Sequence, residues 1–409
     1  VSGWGPWRHA AFRWLLAART TSIVGNAVAP IALAFAVLDL TGSAADLGLV
    51  VAARSIANVA VLLFGGVLAD RLPRNLLLVG TSVAAALTQG AVAALVVTGS
   101  ATVPALVVLS ILNGAVAGVS LPASAALVPD TVPPDQLRSA NALLRLGLNG
   151  GTILGASAGG ILIASVGPGW GLAVDAAAFA AAAVFFSRLR LPERAAAPRT
   201  SMIADLREGW REFTSRSWVW IVVLQFAVLN AAFTGAVAVL GPVVADETIG
   251  RSAWGFVIGA QTLGLALGAV VALRWRPRRA LGIGVAAMAF AAVPVATLAA
   301  APVVPVLLVG FALGGFAIEL FAIAWDQSLQ SHIPRDALSR VYSYDMVGSF
   351  IAVPLGEAVV GPAAHAVGTT PVLWTCAALV VAATLVAAST RSVWRVVAPE
   401  SGPAETASA

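Results

Sequence analysis

Six ionisable side chains stand inside long apolar runs: Arg19, Arg54 and Arg145 in the first half of the chain, and Glu319, Asp326 and Glu357 in the second. A charge at mid-bilayer costs about 2.5–3.5 kcal/mol even on lenient insertion scales, so each one retained there implies a partner or a water-filled cavity. Helical spacing sets Arg19 near Ser22 and Asn26, and Arg54 near Asn58. It also aligns Asn141, Arg145, Asn149 and Thr152 on one stripe and Glu319, Asp326 and Gln330 on another. The chemistry open to such an array is attraction across a cavity, hydrogen bonding to a polar solute, and carriage of a proton by Glu319 or Glu357. For Arg19, Arg145 and Asp326, within a few turns of a span end, snorkelling to the interface is the competing reading. Asp175 and Asp345 are read as close to span ends and are given no role.

The elements that must position these groups follow from composition. Only 11% of the 409 residues are charged and 59% are hydrophobic, against roughly 25% charged in a soluble protein. About 20 apolar residues cross a bilayer core as a helix, and about twelve such runs lie between residues 12 and 390. Lipid offers the backbone no hydrogen-bond partner, so an all-α membrane protein is expected. The first run is too long for a signal-peptide core and lacks a small-residue cleavage site, so it is read as a retained span. Cys376, the one cysteine, rules out an intrachain disulfide. His9, His332 and His365 sit at different span ends and predict no metal cluster. No phosphate-binding G-x-x-x-x-G-K-[ST] loop occurs, so neither ATP-driven pumping nor a cofactor is indicated.

Lysine is absent, and arginine alone reports orientation. Arg8 and Arg13 precede the first run, and Arg71, Arg74, Arg138, the cluster from Arg188 to Arg216, the group from Arg274 to Arg279, Arg335, Arg340, Arg391 and Arg395 fall on alternate connections. Only Arg251 falls on the other side. The positive-inside rule therefore puts both termini in the cytoplasm. The net charge of +5 then reflects topology, and no nucleic-acid partner is called for.

The longest polar interval divides the chain into six runs plus six. The expected units are 1–187, a linker 188–217, 218–390 and a flexible cytoplasmic tail 391–409. In the linker, Ile203, Leu206, Trp210 and Phe213 recur at helical spacing opposite charged residues. Such a helix could lie on the membrane surface or pack on the bundle. A shift of 201 positions sets Gly147, Gly155 and Gly160 on Gly348, Gly356 and Gly361, and Val166-Gly167 on Val367-Gly368. One register held through loop, span and turn indicates duplication, a recurrent transporter architecture. Trp4, Trp7, Trp14, Trp218 and Trp394 are placed like interfacial anchors.

Between the second and third runs, Gly66-Val-Leu-Ala-Asp70-Arg71-Leu-Pro73-Arg74-Asn75 resembles the G-x-x-x-D-R-x-G-R-R signature of the major facilitator superfamily, with Pro73 for Gly and Asn75 for the last Arg. Three further stretches, "LDLTGSAADLGLV", "LVPDTVPPDQLRSANAL" and "WDQSLQSHIPRDALSRVYSYD", are similar to its enterobactin-exporter-like and macrolide-efflux-like drug-efflux branch. In the fifth run Gly151, Gly155, Gly159 and Gly160 resemble the antiporter signature g-x-x-x-G-P-x-x-G-G, with Ala156 for Pro. The Arg that proton-coupled drug antiporters tend to carry in span four is absent.

The resemblance implies twelve helices in two six-helix pseudo-repeat bundles, and a gate in which Asp70 caps the helix beginning near Ser339 while Arg71 and Arg74 tie the halves together. It implies a monomeric transporter of the bacterial inner membrane, not an enzyme, exporting a small amphipathic molecule by alternating access with protons as the coupling ion. The alternatives are proton-coupled uptake, or a transporter-like membrane sensor or assembly partner.

Overall fold

The computed structural model describes residues 5–71, 74–125, 127–189, 202–275 and 277–397. Among them are twelve helices long and apolar enough to cross a membrane. Spans one to six are Ala10–Thr41, Ala44–Arg71, Arg74–Val97, Val103–Ala125, Leu137–Val166 and Pro168–Ser187. Spans seven to ten are Ser217–Glu247, Arg251–Arg274, Ala280–Ala300 and Val304–His332. Span eleven runs as Arg335–Phe350 and Val353–Val367, and span twelve as Thr369–Ser389. Span seven passes through a π segment, Gly235–Leu240, and span nine through a 3-10 turn, Met288–Ala291. The break in span eleven precedes Pro354, a residue that restarts a helix at low cost because its missing N–H falls in the first turn.

An even number of spans returns the chain to the face from which it set out, here called the basic face after its arginine-rich connections. The opposite, distal face carries only short turns. Gly167 and Gly368, which join spans five to six and eleven to twelve, both have φ +93°, a region that penalises any Cβ.

Duplication is visible in the packing. Gly147 abuts Thr20 and Leu16 of span one, and its counterpart Gly348 abuts Val223 of span seven. Gly155 lies against the Val24 carbonyl, and Gly356 against that of Ala231. Gly160 meets Gly255 of span eight, while Gly361 meets Ala44 and Ala45 of span two. Each missing Cβ permits a close helix crossing. The last pair spans the two halves: five packs on eight and eleven on two, as a pseudo-two-fold requires.

The linker helix, Met202–Ser215, packs on span eleven. Phe213 is buried, and the Trp210 and Phe213 rings stand 5.5 and 5.8 Å from that of Tyr344. Trp210 and Phe213 thus contact span eleven, while the side chains of Ile203 and Leu206 lie outside the described residues. Residues 391–397, the described start of the tail, pack on the second bundle. Val393 and Val396 are buried, and the Trp394 ring covers Gly282 while its indole N–H donates to the Ala388 carbonyl at 2.6 Å. Trp218 also differs from an interfacial anchor. It is buried in the second half, edge-on to Trp325 at 5.6 Å, because that bundle stacks Phe226, Phe321 and Trp325 into an aromatic column.

Candidate functional site

A cavity of about 300 Å³ lies within the first half. Span one contributes Arg19, Ser22 and Asn26, span two Arg54 and Asn58, span three Thr81 and Ser82, and span four Asn113 and Ser120. Leu148 of span five and Phe179 and Phe186 of span six close it with apolar surface. The lining thus runs from mid-helix positions toward the basic face. Asn149 is half-buried on span five and is not among the lining residues.

Arg54 anchors a relay of hydrogen bonds. Its Nε donates to Asn113 Oδ1 at 3.1 Å, and Asn113 Nδ2 donates to Thr88 Oγ1 at 3.2 Å. The Arg54 guanidinium is within electrostatic reach of Asp175 of span six and Glu357 of span eleven. Asp175 is fully buried; Gln89 Nε2 donates to its Oδ2 at 2.5 Å, and its Oδ1 has no hydrogen-bond partner. Glu357 is 2% exposed and hydrogen-bonds Ser55, leaving its Oε2 without a partner. Burying a lone carboxylate costs several kcal/mol, and a nearby guanidinium offsets much of that. Spans two and six of the first half and span eleven of the second thus bring Asp175, Arg54 and Glu357 within electrostatic reach, with Arg54 between the two acids in charge.

A second cross-half pair lies nearer the basic face, with Arg145 NH1 3.7 Å from Glu319 Oε1. Arg145 is 74% exposed there, so solvent screens the attraction strongly. Beside it, Asp326 accepts from the Tyr342 hydroxyl at 3.1 Å, and Asp345 accepts from Trp325 Nε1 at 2.9 Å and Ser349 Oγ at 3.0 Å.

At the distal face the halves are clasped. Arg251 donates through both terminal nitrogens to Asp39, at 2.9 and 2.5 Å, and through Nε to Asp246 at 2.8 Å. Its guanidinium carbon lies 4.8 Å from the Phe35 ring centroid, close enough for a cation–π contact. Below it, the four span-five glycines divide their work. Gly151, Gly155 and Gly159 pack against Ile23, Val24, Ala27 and Val28 of span one, whereas Gly160 faces span eight. A Cβ on Gly160 would stand 2.9 Å from the Gly255 Cα and 3.0 Å from the Arg251 and Ser252 carbonyl oxygens.

Of the gate residues, Gly66, Asp70 and Arg71 are on the last turns of span two and Arg74 opens span three. Their side chains lie outside the described residues. Two groups given no role by sequence reasoning are hydrogen-bonded acids: Asp175 of span six accepts from Gln89, and Asp345 of span eleven accepts from Trp325 of span ten and from Ser349. The available signal for Asp175 was its place in an otherwise apolar, alanine-rich helix, the same argument that singled out Glu357.

The profile of the transmembrane secretion effector family matches residues 1–401. The multidrug efflux pump Tap of Mycolicibacterium fortuitum is 28% identical over 372 residues, covering 87% of this chain and 89% of that protein. The enterobactin exporter EntS of Escherichia coli is 28% identical over 268 residues, covering 64% of this chain and 63% of EntS. Among solved structures, the nucleoside transporter NupG superposes with a TM-score of 0.74 at 15% identity, covering 94% of this chain and 99% of that one, a likeness that concerns the fold alone.

Proposed function

The chain belongs to the transmembrane secretion effector family of major facilitator transporters, and on that premise we propose that it exports a small amphipathic molecule by proton-coupled antiport, with its two bundles rocking against each other and the first-half cavity forming part of the substrate path. It is a multi-pass membrane transporter of small molecules rather than an enzyme, and its efflux-pump relatives fit an exporting role. The proposed working units are 1–187 and 218–390, acting as a monomer in the bacterial inner membrane with both termini cytoplasmic.

One observation carries this reading: closure at one face and a cavity lining that runs toward the other. Arg251–Asp39, Gly160 on Gly255, and Gly361 on Ala44 seal the distal face. With the basic face inside, the orientation the positive-inside rule favours for this arginine pattern, the arrangement corresponds in this proposal to the inward-facing stage of an alternating cycle. Opening to the outside must break the Asp39 clasp. Arg251 keeps Asp246, which belongs to its own half, so its charge is not left bare when the halves part. The same motion separates Arg54 from Glu357, and a carboxylate losing its cation is the group positioned to take up a proton. Glu357 is thus the proposed coupling site, with Glu319 as the second candidate. Asp70, Arg71 and Arg74 would latch the basic face in the opposite stage.

Flux in proteoliposomes tests the reading. Movement of substrate against an imposed proton gradient, with protons passing the other way, is the expected result. Co-directional movement would make the chain an uptake symporter, and absence of any flux would make it a sensor or assembly partner.

A further inference from the structure

One side of the pseudo-two-fold is charged where the other is not, and the inference drawn from this rests on the transport reading above. Gly48 of span two lies against the Glu357 carbonyl as Gly255 of span eight lies against that of Ala156, and Glu357 stands 201 positions after Ala156. Gly114 lies against the Arg54 carbonyl as Gly315, one repeat later, lies against that of Gln261. The register that sets Gly167 on Gly368 also sets Asp175 on Cys376. The same scaffold is therefore built once with Arg54, Glu357 and Asp175, and once with Gln261, Ala156 and Cys376. Helix packing does not demand the three charges, and charge kept in a bilayer without a packing need marks function.

The halves divide the trio unequally. Arg54 and Asp175 belong to the first half and move together, whereas Glu357 belongs to the second. Among the described residues Arg54 is the one charged group that acts on either acid. Asp175 is fully buried: Gln89 donates to its Oδ2, and a Cβ on Gly25 of span one would stand 2.6 Å from its Oδ1. Arg251 follows the same plan at the distal face, with Asp246 from its own half and Asp39 from the other. We propose that Asp175 is the resident counter-ion of Arg54 and thereby a positioning residue for proton exchange at Glu357. While the halves touch, two acids share one guanidinium, which loosens its hold on Glu357. Protonating Glu357 removes its charge and frees it from Arg54, so that acid favours distal opening; Arg54 then stays paired with Asp175 as Glu357 moves off with the second half.

Distances between spin labels at Ser100 and Val303, exposed on distal turns of the two halves, report opening in the substrate-free full chain in nanodiscs, in a Cys376→Ala background. The open fraction should rise through one transition as pH falls. Asp175→Asn leaves Arg54 wholly to Glu357 and removes a negative neighbour. Both effects favour ionised Glu357, so the midpoint should move about one pH unit lower, a roughly tenfold higher proton concentration. Asp175→Glu should restore the wild-type midpoint, Arg54→Gln should raise it, and Glu357→Gln should abolish the transition. An unchanged or raised midpoint in Asp175→Asn, or a wild type without a pH transition, would overturn the proposal. Should Asp175→Asn not fold, Arg54→Gln carries the test, and an unchanged or lowered midpoint there overturns it equally. No flux enters these measurements: a pH transition in a chain that moves no substrate would sink the export reading and leave the switch, while export through a chain whose distal face ignores pH would do the reverse.

Discussion

Arg251 of span eight grips Asp39 of span one through both terminal nitrogens, at 2.5 and 2.9 Å, while its Nε remains on Asp246 at 2.8 Å. In the proposed rocking cycle the Asp246 bond, within one half, would persist in both stages, and the Asp39 bonds, between halves, would be the ones to break. Asp39 is 43% exposed, so the clasp contributes about 1 kcal/mol rather than the several of a buried pair. Asp39→Asn should shift the inward-to-outward population ratio about fivefold toward outward. Labelling of a cysteine introduced at Asn58 by an impermeant reagent from outside checks this, since the native Cys376 is buried. An unchanged labelling rate would contradict it.

Gly160 sets how closely the halves approach. Alanine there places its Cβ 2.9 Å from the Gly255 Cα, with backbone on the far side that cannot swing away. Overpacking of this kind costs about 1–3 kcal/mol, all of it in the distally closed stage. Gly160→Ala should lower transport about tenfold with normal membrane insertion. Gly150→Ala, whose Cβ meets nothing within 4 Å, should transport as wild type. Equal activities would remove the crossing from the mechanism.

Glu357→Gln keeps the shape and the Ser55 neighbour but cannot exchange a proton. Accumulation driven by a pH gradient should fall at least about tenfold, while downhill exchange of substrate across the same vesicles stays within about threefold of wild type. If Glu357→Gln and Glu319→Gln both keep gradient-driven transport, protons are not coupled through these carboxylates.

Asp70→Asn addresses the opposite latch. The account predicts transport at about a tenth of wild type or less, with unchanged amounts of protein in the membrane. A fully active variant would reduce Asp70, Arg71 and Arg74 to topology signals.

Much of the fold was legible because lipid makes hydropathy decisive. Spans, their number and the duplication follow from apolar runs and from glycines in one register, and Gly160 and Gly361 prove to be equivalent inter-half contacts. Less legible was which face of each helix turns inward. Arg54 and Glu357 were recognised as deep charges, but their shared network with Asp175 depends on the packing of spans two, six and eleven, which no single helical pattern encodes. Asp345 was overlooked because distance from a span end was used as the guide, whereas Trp325 Nε1 and Ser349 Oγ hold it in the bundle. The clasp was missed for a related reason: Arg251 read as a topology exception, and its partner Asp39 lies 212 positions away.

The central claim is that the distal face must open for transport. Cysteines replacing Asp39 and Arg251, in a Cys376→Ala background, can be bridged by a short bifunctional methanethiosulfonate and released by reductant. The account predicts that bridging stops substrate flux in proteoliposomes and that reduction restores it; undiminished flux through the bridged protein would contradict it.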